Sequence, residues 1–263
     1  MKLLSRLSLA SALAMLLQAP LHAQNAADST PAASASPLSA NLTVTSQYIS
    51  RGFRQTWGKP AVQGGLDYAD PSGFSLGTWL STMSNRYIED GTLEWDIYGN
   101  YAGTVGDAGY SVGLYVYKYP GAEYRATHTT YDYAELALGL TYRVAYLKYN
   151  YTVSKEFFGI TNARGTGYLD LGANPELAPG YTLNLHFGHG RVANNSDWNW
   201  RDYKVGVTHQ LAAGWAVSGA YTRAHGKTAA YDAYTLGIPN SAGVIETSNP
   251  AAGTFVLAVT RTF

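Results

Sequence analysis

Tyr181-Thr182-Leu183-Asn184-Leu185-His186-Phe187-Gly188 is the stretch that decides the fold class. Apolar and polar side chains alternate residue by residue. An extended strand throws successive side chains to opposite faces, so this octet reads as a strand with one greasy and one wet face. The period recurs outward in both directions. Leu93, Trp95, Ile97 and Tyr101 alternate with Glu94, Asp96, Tyr98 and Asn100. Ala145, Leu147, Tyr149 and Tyr151 alternate with Tyr146, Lys148, Asn150 and Thr152. The last segment sets Phe255, Leu257, Val259 and Phe263 against Thr254, Val256, Ala258, Thr260 and Thr262. Twelve segments of this kind are expected, near 41–50, 60–70, 73–83, 92–103, 108–118, 131–141, 144–153, 166–174, 180–189, 200–210, 214–224 and 251–263. Most exceed the ~5–6 residues of an ordinary strand. They match the ~9–11 residues of a tilted strand that crosses a bilayer.

The connections alternate in length. Long ones are expected near 51–59, 84–91, 119–130, 154–165, 190–199 and 225–250. Between them lie short turns: Asp70-Pro71-Ser72-Gly73, Gly106-Asp107, Tyr142-Arg143, Pro175 to Pro179 and Ala212-Ala213-Gly214. Short periplasmic turns, long external loops and an even strand count are the pattern of outer-membrane barrels.

Composition agrees. Of 263 residues only 14% are charged, with 18 basic against 18 acidic, and 22 are Tyr. An ordinary soluble domain carries about 25% charged residues. With no Cys there is neither a disulfide framework nor a thiolate metal site. Without a basic excess, nucleic acid is not an expected partner.

Residues 1–23, MKLLSRLSLASALAMLLQAPLHA, read as a cleaved signal peptide: Lys2 and Arg6 lead a short apolar run that ends at Ala23. Residues 24–40 read as a polar N-terminal segment and 41–263 as the barrel. No later apolar run approaches the ~18 residues of a spanning helix. The expected fold class is therefore all-β: a single 12-stranded antiparallel transmembrane barrel in a bacterial outer membrane.

In such a barrel the apolar face meets lipid, with aromatics toward its ends, and the polar face lines the lumen. Trp95, Tyr101, Tyr181, Phe187, Trp215, Tyr221 and Phe263 fall on the outward face. Asp67, Glu94, Asp96, Tyr98, Glu135, Lys148, Asp170, His186 and Lys204 fall on the inward face and are the pore-lining candidates. Both signs of charge occur there, which predicts weak ion selectivity. Arg51, Arg54 and Lys59 in the first long loop are candidates for a mouth or constriction. Two alternatives stand: an anion-attracting or inward-folded loop, or a cap pinned by Arg pairs to lumen carboxylates. Glu94 and Asp96 point inward together and are expected to pair with Arg51, Lys148 or Lys204. His186 and His189 lie on opposite faces, so a shared metal is not expected. The chain ends on Phe263, which resembles the assembly signal of outer-membrane proteins; Arg261 departs from that pattern and is expected to snorkel.

Leu42 to Trp79 carries a longer resemblance. Its pieces are Ser46-x-Tyr48-x-x-Arg51-Gly52, Gln55-Thr56-x-Gly58-Lys59-Pro60-Ala61-Val62-Gln63-Gly64-Gly65-x-Asp67-Tyr68, Ser72-Gly73-Phe74 and Gly77-Thr78-Trp79. This block is similar to the opening of the TorF family of porin-like proteins. Glu94-x-Asp96-x-Tyr98 and Tyr115 to Pro120 extend the likeness. The resemblance implies an outer-membrane barrel and a pore, and brings no substrate or catalytic residue with it.

The function expected from the sequence is passive diffusion of small hydrophilic solutes or ions. A non-conducting barrel acting as adhesin or scaffold through its loops is the alternative. An outer-membrane phospholipase would carry His and Ser two apart on one strand face, and no His here is followed by that Ser. No catalytic residue, metal or cofactor is expected. The expected partners are outer-membrane lipid, small hydrophilic solutes and the barrel-assembly machinery, the last through the C-terminal strand.

Overall fold

The computed structural model describes residues 36–263. The signal peptide lies outside the described residues, as does most of the polar segment. Twelve strands form the wall: β1 Leu38–Thr45, β2 Ala61–Ala69, β3 Phe74–Thr82, β4 Leu93–Val105, β5 Ala108–Lys118, β6 Tyr133–Tyr142, β7 Ala145–Thr152, β8 Gly167–Ala173, β9 Tyr181–Arg191, β10 Trp200–Gln210, β11 Trp215–Gly226 and β12 Thr254–Thr262. Each pairs antiparallel with its neighbours in sequence. β1 also pairs with β12, from Asn41 opposite Thr262 to Thr45 opposite Ala258, and this closes the barrel. Closure satisfies the backbone groups that an open edge would leave bare in hydrocarbon.

All twelve expected segments are strands. Two local differences stand out. β1 begins at Leu38, and it ends at Thr45 rather than running on to 50. Beyond Thr45 the chain turns off the wall, and Ile49–Ser50 pairs with Phe53–Arg54 in a hairpin of its own. The Gln47 side chain keeps the β12 edge satisfied by donating to Thr254 Oγ1 (2.6 Å) and the Phe255 carbonyl (3.3 Å). In addition, Glu176–Ala178 in the connection from β8 to β9 pairs back onto β9 where only a turn was expected.

The wall alternates as its sequence does. Leu136, Leu138 and Leu140 of β6 are exposed on the outside while Tyr133, Glu135 and Ala137 between and before them are buried inside. The exposed Leu, Val, Phe, Trp and Tyr side chains of the strands make an apolar outer belt.

The five connections at one end are tight. At Asp70–Gly73, Asp70 Oδ1 accepts from the Ser72 N–H (2.8 Å), and the Gly73 N–H donates to the Asp70 carbonyl (3.0 Å). Gly73 sits at φ 99°, with no room for a Cβ beside the Ala102 carbonyl. Both chain ends of the barrel lie at this end: the Phe263 N–H donates to the Ala40 carbonyl at 2.9 Å. The six long connections (46–60, 83–92, 119–132, 153–166, 192–199 and 227–253) gather at the other end.

Candidate functional site

The lumen is the candidate site, and it has two halves divided by the first long loop. The loop's sharp turn, Arg51 (φ 47°) and Gly52 (φ 84°), is driven into the barrel. Its seat is fixed by the missing side chain of Gly52. A Cβ there would lie 2.4 Å from Asp202 Cβ and 2.9 Å from Ala224 Cβ, on the inner faces of β10 and β11. The Trp200 indole N–H donates to the Arg51 carbonyl (3.1 Å) and locks the turn to the wall.

From that seat Arg51 reaches across the lumen. Its guanidinium forks onto Glu135, with Nη1 3.0 Å from Oε1 and Nη2 2.5 Å from Oε2, and stacks over the Tyr168 ring at 4.6 Å. Glu135 is fully buried and Arg51 largely so. The turn thus lies within the lumen, and an Arg–carboxylate pair ties it to β6.

Glu94 and Asp96 differ from expectation. Glu135 takes Arg51, while Lys148 and Lys204 lie lower in the barrel. Glu94 Oε1 accepts instead from the Tyr119 hydroxyl at 3.1 Å. Asp96 is completely buried, and neither carboxylate oxygen has a hydrogen-bond partner among the described residues. Arg51 acts on both carboxyls through space only, because its guanidinium is forked onto Glu135.

Arg54 and Lys59 do not converge with Arg51. Arg54 donates to the Asn249 carbonyl and to Ser248 Oγ, tethering the last long loop. Lys59 is exposed on the rim, where its backbone closes a turn with Thr56.

Below Arg51, toward the short turns, the lumen is polar. Asp170, Gly188 and Asp202 form one row across β8, β9 and β10. With no Cβ at Gly188, both carboxylates approach one imidazole on the next pleat. His186 Nδ1 lies 2.8 Å from Asp170 Oδ1, and Nε2 lies 2.7 Å from Asp202 Oδ2. The Tyr168 hydroxyl donates to Asp202 Oδ1 at 3.0 Å. Lys204 stands directly across from His186 and Lys148 across from Asp170; the Lys148 ammonium also sits 4.3 Å from the Tyr115 ring centroid. Asp67 accepts from the Tyr98 hydroxyl at 2.6 Å on the opposite side of the wall. Lys148, Asp170, His186, Asp202 and Lys204, with Asn150, Asn184 and Thr208, border a cavity of about 180 Å³, and Asp67 and Tyr98 stand outside its lining.

Above Arg51 a second cavity of about 590 Å³ opens among the long loops. Its lining is aromatic. Ser50, Arg51 and Tyr133 border both cavities and form the septum between them.

Sequence reading missed Asp202 and the loop aromatics. Asp202 shares the parity of Lys204, so its inward direction was readable. The aromatics carried a signal too: Phe157-Phe158, Trp198 and Tyr231 fall in connections that would be polar if they stood free in water. Phe263 stands at the short-turn end on the outward face, 68% exposed. The Arg261 guanidinium packs 5.0 Å from its ring and 5.8 Å from Trp215.

A family model, described as a bacterial protein of unknown function (Gcw_chp), matches residues 29–263. The chain belongs to the Gcw_chp family. No curated protein matches it in sequence. Among solved structures, the KdgM porin superposes with a TM-score of 0.54 over 86% of this chain and 99% of that one, at 8% identity. The NanC porin gives 0.51 over 84% and 98%, also at 8% identity. At such identities the likeness is one of fold: the Gcw_chp chain shares the closed barrel architecture of these outer-membrane porins.

Proposed function

We propose that the protein is a narrow outer-membrane channel for passive diffusion of small hydrophilic solutes or ions. The observation that carries this reading is the pair of cavities inside a closed barrel, one on the short-turn side and one among the long loops, sharing Ser50, Arg51 and Tyr133 as their common border. An apolar belt outside and a polar lower lumen inside are what a bilayer-spanning conduit needs. The resemblance of residues 42–79 to TorF porins and the fold likeness to KdgM and NanC support the same reading. The same proposal places the protein in the outer membrane, with lipid around the belt and the C-terminal strand, ending at Phe263, as the handle for barrel assembly.

The lower lumen carries Lys148, Lys204 and His186 beside Asp170 and Asp202, so neither sign dominates and selectivity is weak. The Asp170–His186–Asp202 array is structural. Both ring nitrogens face carboxylates, which leaves none to take a proton from a nucleophile.

The test is ion conduction by the refolded full-length mature protein in a planar bilayer under a salt gradient. Discrete steps with a reversal potential near zero are expected; a strong anion or cation preference would overturn the balanced-lumen part. The second reading, a closed barrel working through its loops, is favoured by the complete burial of Tyr48, Asp96 and Glu135 around the septum. It predicts silence from inserted, folded protein.

A further inference from the structure

All six long loops send an aromatic ring into the upper cavity: Phe53, Tyr87, Tyr131, Phe158, Trp198 and Tyr231. These rings are ordered by one another into two walls. On one, Phe53 stacks on Tyr231 (5.1 Å between ring centroids, 16° between planes), and Trp198 meets Tyr231 edge-on at 5.3 Å. On the other, Phe158 meets Tyr131 edge-on at 5.4 Å and lies 5.8 Å from Tyr87. Several hydroxyls are turned away from the cavity into backbone bonds. Tyr231 donates to the Trp198 carbonyl at 2.7 Å, and the Tyr131 hydroxyl accepts from the Glu89 N–H at 3.3 Å. The two walls therefore offer mainly ring faces and edges, and Ser50, Gln55, Thr127, Thr161 and Thr235 add scattered polar groups to the border.

Among the described residues that border this cavity Arg51 is the one charged side chain, and Glu135 already holds it. An ionic ligand would lose its hydration here and find no free counter-charge. A sugar would find uncharged polar partners only in those scattered side chains, fewer than its many hydroxyls call for. The volume, about 590 Å³, lies in the range of small-molecule sites, ~300–1,000 Å³. Flat π systems gain offset-stacked or edge-to-face contacts between such walls.

We propose that the upper cavity is a capture site for uncharged aromatic solutes of one to three rings, held between the two aromatic walls above Arg51. Capture stands apart from the channel reading, which governs only the later passage of the solute beyond the septum.

The test is calorimetric titration of the full-length mature protein in lipid nanodiscs, with empty nanodiscs subtracted for lipid partitioning. Three probes are used: 2-naphthol, 2-naphthalenesulfonate and maltose. Saturable binding of one 2-naphthol per chain is expected, with the sulfonate about tenfold weaker or more and maltose silent. Ala233→Trp fills the cavity from an exposed loop position. It is expected to weaken 2-naphthol about tenfold or more while the barrel keeps its heat-modifiable migration. Absence of saturable 2-naphthol binding, equal binding of the sulfonate or maltose, or an unaffected Ala233→Trp protein would each overturn the site. Conductance of the same preparation separates the two proposals. Current without 2-naphthol binding removes the capture site alone, and binding without current removes the channel alone.

Discussion

The two halves of the lumen are built by different means. The lower half is made by strands. Its polar groups sit on alternate residues, and their partners lie on adjacent strands, as Asp170, His186 and Asp202 do on β8, β9 and β10. The upper half is made by loops. Its order comes from rings packed on rings and from ion pairs between residues far apart in sequence, such as Arg51 to Glu135 and Arg86 to Glu246. A strand lattice spaces its side chains at fixed intervals and tolerates small losses. A loop-built plug depends on a few anchors, so single substitutions there have large effects.

The sharpest way to break this contrast is at the anchor. Arg51→Ala leaves Glu135 buried without its counter-ion, which typically costs ~3–5 kcal/mol. Among the described residues the loop has no other charged tie to β6, so the septum is expected to leave the lumen and single-channel conductance to rise about twofold or more. Unchanged conductance would mean that the septum does not set the flow.

Gly52→Val tests the seat rather than the ion pair. The left-handed backbone costs ~1–2 kcal/mol for a residue bearing a Cβ, and the Cβ has no room against Asp202. The Trp200 indole is expected to lose its bond to the Arg51 carbonyl and become accessible to fluorescence quenchers, with the barrel still folded. Retained protection would show that the turn has another place to sit.

In the lower half the effects are expected to be gentler and electrostatic. His186→Ala removes the ring that spans Asp170 and Asp202 and leaves two carboxylates facing the cavity. The reversal potential is expected to move toward cation preference with little change in conductance. A large conductance change would contradict the division between the halves.

The smallest expected effect is a pH response of the outer rim. Glu246 accepts from the Asn240 side chain at 2.7 Å and pairs with Arg86 at 2.5 Å. The Asn240 hydrogen bond, with Arg86 beside it, holds this carboxyl below the usual carboxylate range. A depressed value means that the clamp contributes above that range and is lost as pH falls through the lowered value. The protection of amides in 235–250 from hydrogen exchange is expected to fall on acidification at Glu246, and Glu246→Gln to abolish the response. Protection that is the same at both pH values would remove Glu246 as the clamp.

What was legible in the sequence divides along the same line. Period 2 is a local property, so Tyr181 to Gly188 and its equivalents reported the wall, its two faces and its termini without long-range information. The turns were equally local, as Asp70 to Gly73 illustrates. The inward direction of His186, Asp170 and Lys204 followed from parity. The partner of Arg51 did not, because Glu135 lies 84 residues away and is selected by where Gly52 fits. The aromatic upper cavity was hidden for the same reason. Tyr87, Phe158 and Tyr231 are far apart in sequence, and only the closure of the barrel brings their loops together.

The most direct test of the central claim is single-channel recording of the refolded mature protein beside Arg51→Ala in the same bilayer. The account predicts small discrete steps for the parent, larger steps for the variant, and reversal potentials near zero for both. Silence from both proteins, each shown to be folded and inserted, would contradict it and leave a barrel that acts through its loops.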